Sequence, residues 1–248
     1  MKLLNSIKGL WLMFFSTKIF YPKDVFKGKR VAVIGAADSA FEKENGDYID
    51  SFDVIVRVNK APHTWTIDKA RFIGNRTDIW LHNFFENTDT GGGGPLDIEI
   101  IKKMNIKYLV NPLNYFEAYR RTFNFYRKYN YSYNVYHLPL NFSKIRDRKF
   151  GKKIKPTIGF TALYSALNSE CSELYITGFT FWKTPYVKGY RDHVLDLEDN
   201  KKHFKKQGIH DADLEYELFK KELKNTISKK VILDDKLKEI LESERNDL

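Results

Sequence analysis

The stretch RVAVIGAADSAFEKENGDYIDSFDVIVRVNKAP, residues 30–62, decides how this chain folds. It holds two short β-branched runs, RVAVIG (30–35) and FDVIVRVN (52–59), separated by a glycine turn and a polar stretch. Runs of this kind read as strands. They recur as TDIWLHN (77–83), KYLVNP (107–112), NVYHLPL (134–140), ELYITGF (173–179) and KVILDD (230–235). Helical periodicity occupies LDIEIIKKMN (96–105), FEAYRRTFNFYRKY (116–129), GFTALYSALNSE (159–170) and the opening residues. Strands alternating with helices specify an α/β fold with a largely parallel central sheet flanked by helices. At 248 residues the chain is long enough for one substantial domain of this type.

Composition narrows the class. Hydrophobic residues make up 42% and charged residues 30%, ordinary proportions for a globular protein. The net charge of +10 favours phosphate-bearing partners, whether nucleic acid, anionic lipid or a charged sugar nucleotide. The basic residues are scattered, with no basic arm or arginine stripe, so nucleic-acid binding is not expected. The single cysteine, Cys171, forbids an intrachain disulfide and agrees with a reducing compartment. The first twenty residues, MKLLNSIKGLWLMFFSTKIF, carry an apolar run from Leu10 to Phe15 bracketed by Lys8 and Lys18. The run is too short to span a bilayer, and no small-residue cleavage site follows it. Two readings stand for it: a helix lying in a membrane interface, or a helix packed on the domain's own surface. The expected organisation is an N-terminal amphipathic segment over residues 1–28 and one folded domain over 29–248.

The strand ending at Gly35 is the usual place for a nucleotide phosphate, because backbone N–H groups point outward there. The G-x-G-x-x-G, P-loop and G-x-S-x-G patterns are absent, which leaves dinucleotide, P-loop and nucleophile-elbow chemistry without support. A second candidate is KPTIGFTALYSAL (155–167), where Pro156 and Thr157 precede a helix and Gly159 permits close approach of a ligand. A third is GIHDADLEYE (208–217). Its Asp211 and Asp213 form a D-x-D that suits either a metal or a helix N-terminus, with capping preferred. His193 lies 17 residues before His210, outside the short spacing expected of a local ligand pair. NTDTGGGGPLD (87–97) is a flexible stretch, either a linker or a loop that closes over substrate.

Together these segments resemble the sialyl motifs of the animal-type sialyltransferases, glycosyltransferase family 29. Residues 30–62 are similar to the large motif. PTIGFTALYSALNSECSELYITGF (156–179) is similar to the small motif, and GIHDADLEYE to the very short motif, H-x4-E, in its galactoside-specific form. HVLD (193–196) takes the place of H-Y-x-[DE], with Val194 for the tyrosine. The resemblance runs over roughly residues 29–220 with four motifs in order. It departs in two further places. Ala36 and Ala37 follow Gly35 where the family has G-N-S-G, and Val31 stands where the family has the cysteine that pairs with the counterpart of Cys171.

The resemblance implies a Rossmann-like domain of the GT-A-variant type. It also implies an inverting transfer of a sialic acid from CMP-sialic acid to a hydroxyl of a terminal galactoside, without metal or other cofactor. His210 is then the general base, a role that suits a neutral imidazole. The helix end would hold its pKa down, and Asp211 would push it up. His193 and Asn59 are the candidates for the phosphate oxygens. The CMP-sugar would meet Gly35, Ala36 and Ala37 and the N–H groups at Thr157, Ile158 and Gly159, with Glu215 and Asp211 in support. Two alternatives stay open: a CMP-Kdo or other CMP-nonulosonate donor in surface polysaccharide or lipopolysaccharide synthesis, and a non-catalytic nucleotide- or glycan-binding domain. The expected partners are the CMP-sugar, a galactoside or glycolipid acceptor, and a membrane touched peripherally by residues 1–20. The expected setting is cytoplasmic, peripheral on the inner leaflet.

Overall fold

Eight strands lie in one sheet in the computed structural model, which describes residues 2–87, 93–192, 197–198 and 208–243. They are β1 (Thr17–Ile19), β2 (Arg30–Ile34), β3 (Val54–Val58), β4 (Ile79–Leu81), β5 (Tyr108–Asn111), β6 (Val135–His137), β7 (Glu173–Thr177) and β8 (Lys230–Leu233). Their order is β1-β6-β5-β4-β3-β2-β7-β8, and every pairing is parallel. The helices are α1 (Lys2–Ser16), α2 (Pro22–Phe26), α3 (Gly46–Asp50), α4 (Ala70–Ile73), α5 (Ile98–Lys103), α6 (Phe116–Tyr129), α7 (Leu140–Arg148), α8 (Ile158–Leu167), α9 (Ala212–Lys224) and α10 (Asp235–Ser243). Each of the seven β-branched runs contains one strand. The eighth strand, β1, was not expected: Thr17 to Ile19 is too short to show a period and gains its strand character by pairing with Val135 to His137.

Parallel strands are buried on both faces, and the pleat sorts their side chains in steps of two. Val31 and Val33 join Val56, Val58 and Ile176 beneath Phe160 and Leu163 of α8 and Phe219 of α9. Ala32 and Ile34 face the other way, with Ile55 and Tyr175 against Ile49 and Phe52. On that same side Trp80, Leu109 and Val135 pack with Phe125 and Tyr126 of α6 and Leu12 of α1. Val31 and Cys171 are buried in one apolar cluster, so packing holds the two places that the family joins by a cystine.

The arrangement has one topological switch. The chain runs outward from β2 through β3, β4, β5 and β6, then returns to place β7 and β8 on the other side of β2. In open parallel sheets ligands bind beyond the carboxyl ends of the strands at such a switch. Gly35, Asn59 and Gly178 follow β2, β3 and β7 at that edge.

Candidate active site

A cavity of about 720 Å³ opens at this edge. Its wall is built from the residues that follow five strands: Ala36 and Ala37, Asn59, Asn83, Tyr115, and Phe179 to Trp182. The first turn of α8 and residues 209, 210 and 215 close the far side. Backbone strain gathers here. Asn59, Phe181 and Trp182 all have positive φ, at 45°, 50° and 59°, a region where bulky residues are outliers. Asn59 is held there on three sides. Its N–H donates to the Leu81 carbonyl at 2.8 Å, its own carbonyl accepts from the Trp80 indole at 2.7 Å, and Tyr190 hydrogen-bonds its side chain.

His210 sits at the wall, and its surroundings fix how it titrates. Its Nδ1 lies 2.7 Å from the Lys155 carbonyl, which can only accept, so the neutral ring carries its proton on Nδ1 and its lone pair on Nε2. Lys155 N–H in turn donates to the Ile209 carbonyl at 2.8 Å, so two main-chain segments clasp each other around the histidine. Burial pushes the imidazole pKa below its ordinary value, and the nearby Arg191 and Lys155 cations add to this against the bond to the carbonyl. The competition expected between the helix end and Asp211 is thus decided by burial and by two cations from elsewhere in the chain.

Asp211 is the N-cap of α9, its carboxylate accepting from Leu214 N–H at 3.0 Å. Asp213 lies in the first turn, where a negative charge complements the helix dipole. Among the described residues no three His, Cys, Asp or Glu side chains converge as a metal-ligand set. Glu215 lies in the same first turn and is 2% exposed. Its carboxylate accepts from both Thr157 N–H, at 2.6 Å, and Thr157 Oγ1–H, at 2.8 Å. Thr157 Oγ1 also caps α8 by accepting from Phe160 N–H at 3.0 Å. Desolvation dominates these bonds and raises the Glu215 pKa to about 8.

Several expected residues therefore share one cavity: Ala36, Ala37, Asn59, Thr157, Ile158, Gly159, His210 and Glu215. Others are placed differently. Gly35 stands just outside the wall, and its missing side chain serves packing, because a Cβ there would overlap the carbonyl of Gly178. At Gly159 the Phe179 ring occupies the space, with its Cε1 3.2 Å from where a Cβ would sit. Thr157 N–H is engaged by Glu215 rather than left to a ligand. Glu215 braces Thr157, not His210 itself. His193 and the rest of HVLD lie outside the described residues, as do residues 88–92 of the glycine stretch. The sequence reading missed the cavity's cations, Arg121, Lys155 and Arg191, and the aromatics Tyr115, Phe181, Trp182, Tyr186 and Tyr190. Only the overall excess of basic and aromatic residues signalled them, and that excess carries no positions.

Comparison with known proteins shows the family. Residues 10–227 match glycosyltransferase family 29 (sialyltransferase), and the chain belongs to that family. It is 25% identical over 203 residues to CMP-N-acetylneuraminate-beta-galactosamide-alpha-2,3-sialyltransferase 2 of Mus musculus, and equally to that of Rattus norvegicus. The match covers 78% of this chain and 54% of each relative, so the chain spans about half the length of the curated relatives it matches. Among solved structures it is similar to a mammalian sialyltransferase, with a TM-score of 0.54, 15% identity, and 92% of this chain and 78% of that one covered. A mammalian sialyltransferase in complex with Gal-beta-1-3GalNAc-ortho-nitrophenol gives 0.53 at 19% identity, covering 90% and 78%. A variant of the sialyltransferase CST-II in complex with CMP gives 0.51 at 13% identity, covering 83% and 81%. At these identities the likeness is one of fold.

Proposed function

We propose that this member of glycosyltransferase family 29 moves a sialic acid from CMP-sialic acid to a hydroxyl of a terminal galactoside, with inversion and with His210 as general base. The observation that carries the reading is the state of the His210 ring: Nδ1–H committed to the Lys155 carbonyl, the pKa held low, the side chain at the cavity wall. A base of this kind accepts the acceptor hydroxyl's proton on Nε2 while the hydroxyl oxygen bonds to the anomeric carbon. The bond from that carbon to the CMP phosphate oxygen breaks, and CMP departs as an anion. A phosphate monoester needs only positioned donors to leave, and no metal enters the scheme. The N–H groups of Ile158 and Gly159, the Asn59 side chain and the cations Arg121, Lys155 and Arg191 are the donors assigned to the CMP-sugar; all six residues line the cavity. His193 keeps the phosphate role that its motif implies. The neighbours solved with CMP and with a galactosyl acceptor support both substrate classes.

The test uses purified chain, CMP-sialic acid and a galactoside. His210→Ala is expected to lose transfer by about two orders of magnitude or more while keeping its affinity for the donor. Unchanged transfer would refute the assignment, and inhibition by a chelator would replace the metal-free scheme. A second reading, a CMP-Kdo or related CMP-nonulosonate donor, is favoured by Ala36 and Ala37. These short apolar side chains line the wall where the family carries a polar asparagine. Offering both donors decides between them. Binding of CMP without any transfer would leave a nucleotide-binding domain.

A further inference from the structure

We infer that the outer face of α1 docks on an anionic lipid bilayer, with the helix lying in the plane of the membrane surface. One face of α1 belongs to the protein: Gly9, Leu12 and Ser16 are buried. A Cβ at Gly9 would sit 3.0 Å from the Arg127 backbone of α6, and the Ser16 carbonyl accepts from the Tyr126 hydroxyl at 2.9 Å. The opposite face is apolar and bare. Leu3, Ile7, Trp11, Phe14 and Phe15 are 75%, 57%, 59%, 80% and 54% exposed. At 100° per residue these five fall on an arc of about 120°, with no charged residue inside it. A continuous stripe of this kind has an unmet hydrophobic driving force and marks a partner surface.

Charge selects the occupant. Lys8 borders the stripe, Lys18 and Lys23 follow the helix, and the first acidic residue of the chain is Asp24. A second copy docking through the same stripe by a two-fold axis would bring this basic rim against itself. An anionic headgroup layer complements it instead, and exposed Trp and Phe suit the headgroup boundary. The 15 residues of the helix span about 22 Å, short of the roughly 30 Å hydrocarbon core, a length that suits lying on the bilayer surface. No described helix is long and apolar enough to cross. The inference stands apart from the reaction proposed above.

Sedimentation of the full chain with vesicles tests it, using phosphatidylcholine alone and an equal mixture of phosphatidylcholine and phosphatidylglycerol. The chain is expected to pellet with the mixed vesicles, less so at high salt. The double variant Trp11→Ser, Phe14→Ser is expected to lose about a hundredfold in vesicle affinity, from the apolar area that the two rings no longer withdraw from water. Both rings are exposed, so the variant is expected to keep the wild-type melting curve and its activity on a soluble acceptor. Wild-type binding unaffected by the double substitution, or no preference for phosphatidylglycerol, overturns the inference. Sedimentation velocity without lipid covers the remaining occupant: a wild-type dimer that the double variant turns into a monomer assigns the stripe to self-association and also overturns it.

Discussion

The carboxylate of Glu215 accepts both hydrogen bonds that Thr157 can donate, from its N–H and its hydroxyl, across 58 residues of sequence. The same pair of segments is tied a second time by His210 and the Lys155 carbonyl. This gives the H-x4-E spacing a physical meaning. Asp211 caps α9, so Glu215 emerges at its fourth position, turned inward to brace Thr157. His210, just before the cap, stays on the loop at the cavity wall. The Glu215–Thr157 bonds hold the start of α8 and the start of α9 together, and with them the two sides of the site.

Glu215 makes stability depend on pH. Its folded pKa of about 8 lies above the ordinary 4.5, so the folded state retains a proton that the unfolded chain releases. Stability from that proton is complete below the unfolded pKa and is lost as pH rises through the folded one. Glu215→Gln cannot ionise. Thermal melts are expected to show the wild type losing several degrees in Tm relative to this variant between about pH 5 and pH 8. Parallel Tm curves for the two proteins would contradict the raised pKa.

The low pKa of His210 predicts the acid limb of the activity profile. The folded value lies below the ordinary 6.5, so the neutral form persists until the pH falls beneath that value. A plot of kcat/KM against pH is expected to stay level down to that point and then fall as the base is protonated. An acid limb centred above 6.5 would argue against the burial-dominated environment.

Gly35 and Gly159 are expected to respond differently to alanine. At Gly35 the new Cβ overlaps the rigid Gly178 carbonyl, and the β2 and β7 ends must part; a loss of about 2–4 kcal/mol is expected. At Gly159 the new Cβ meets the edge of a ring, Phe179, 3.2 Å away. Ring tilt limits that loss to about 1 kcal/mol, while the repositioned ring weakens CMP binding. Denaturant unfolding of both variants measures the contrast.

Asp211 separates capping from metal binding. Asp211→Ala removes the acceptor for Leu214 N–H and is expected to cost about 1 kcal/mol. Asp211→Asn keeps a capping oxygen and should restore stability and transfer together. A variant that regains stability but not activity would give Asp211 a role beyond the cap.

At Trp182, strain and function pull apart. Its φ of 59° is one that glycine adopts freely. Trp182→Gly relieves the backbone but removes an indole that lines the cavity and donates to the Tyr186 hydroxyl at 2.9 Å. Stability is expected to stay within about 1 kcal/mol of wild type, with CMP-sugar affinity falling about tenfold. Calorimetric titration with CMP reads the second effect; unchanged affinity would mean that the strained turn serves the fold alone.

Much of this molecule is written locally. Seven strands announce themselves as β-branched runs, α6 is bounded as its periodicity indicates, and the acidic start of α9 caps its helix, because pleat, helical period and capping depend only on neighbours in the chain. Many of the candidate site residues were legible as well, since a strand ending in a turn or a helix beginning at a threonine already places its backbone at the sheet edge. The rest depends on what packs against what. β1 becomes a strand only beside β6, and α1 divides into a buried and a bare face only because α6 covers half of it. Desolvation moves the pKa of His210 down and that of Glu215 up, and its extent is set by residues far away in sequence. Lys155, Thr157 and Arg191 reach the His210 segment only once the chain is folded, and local sequence carries no record of that distance.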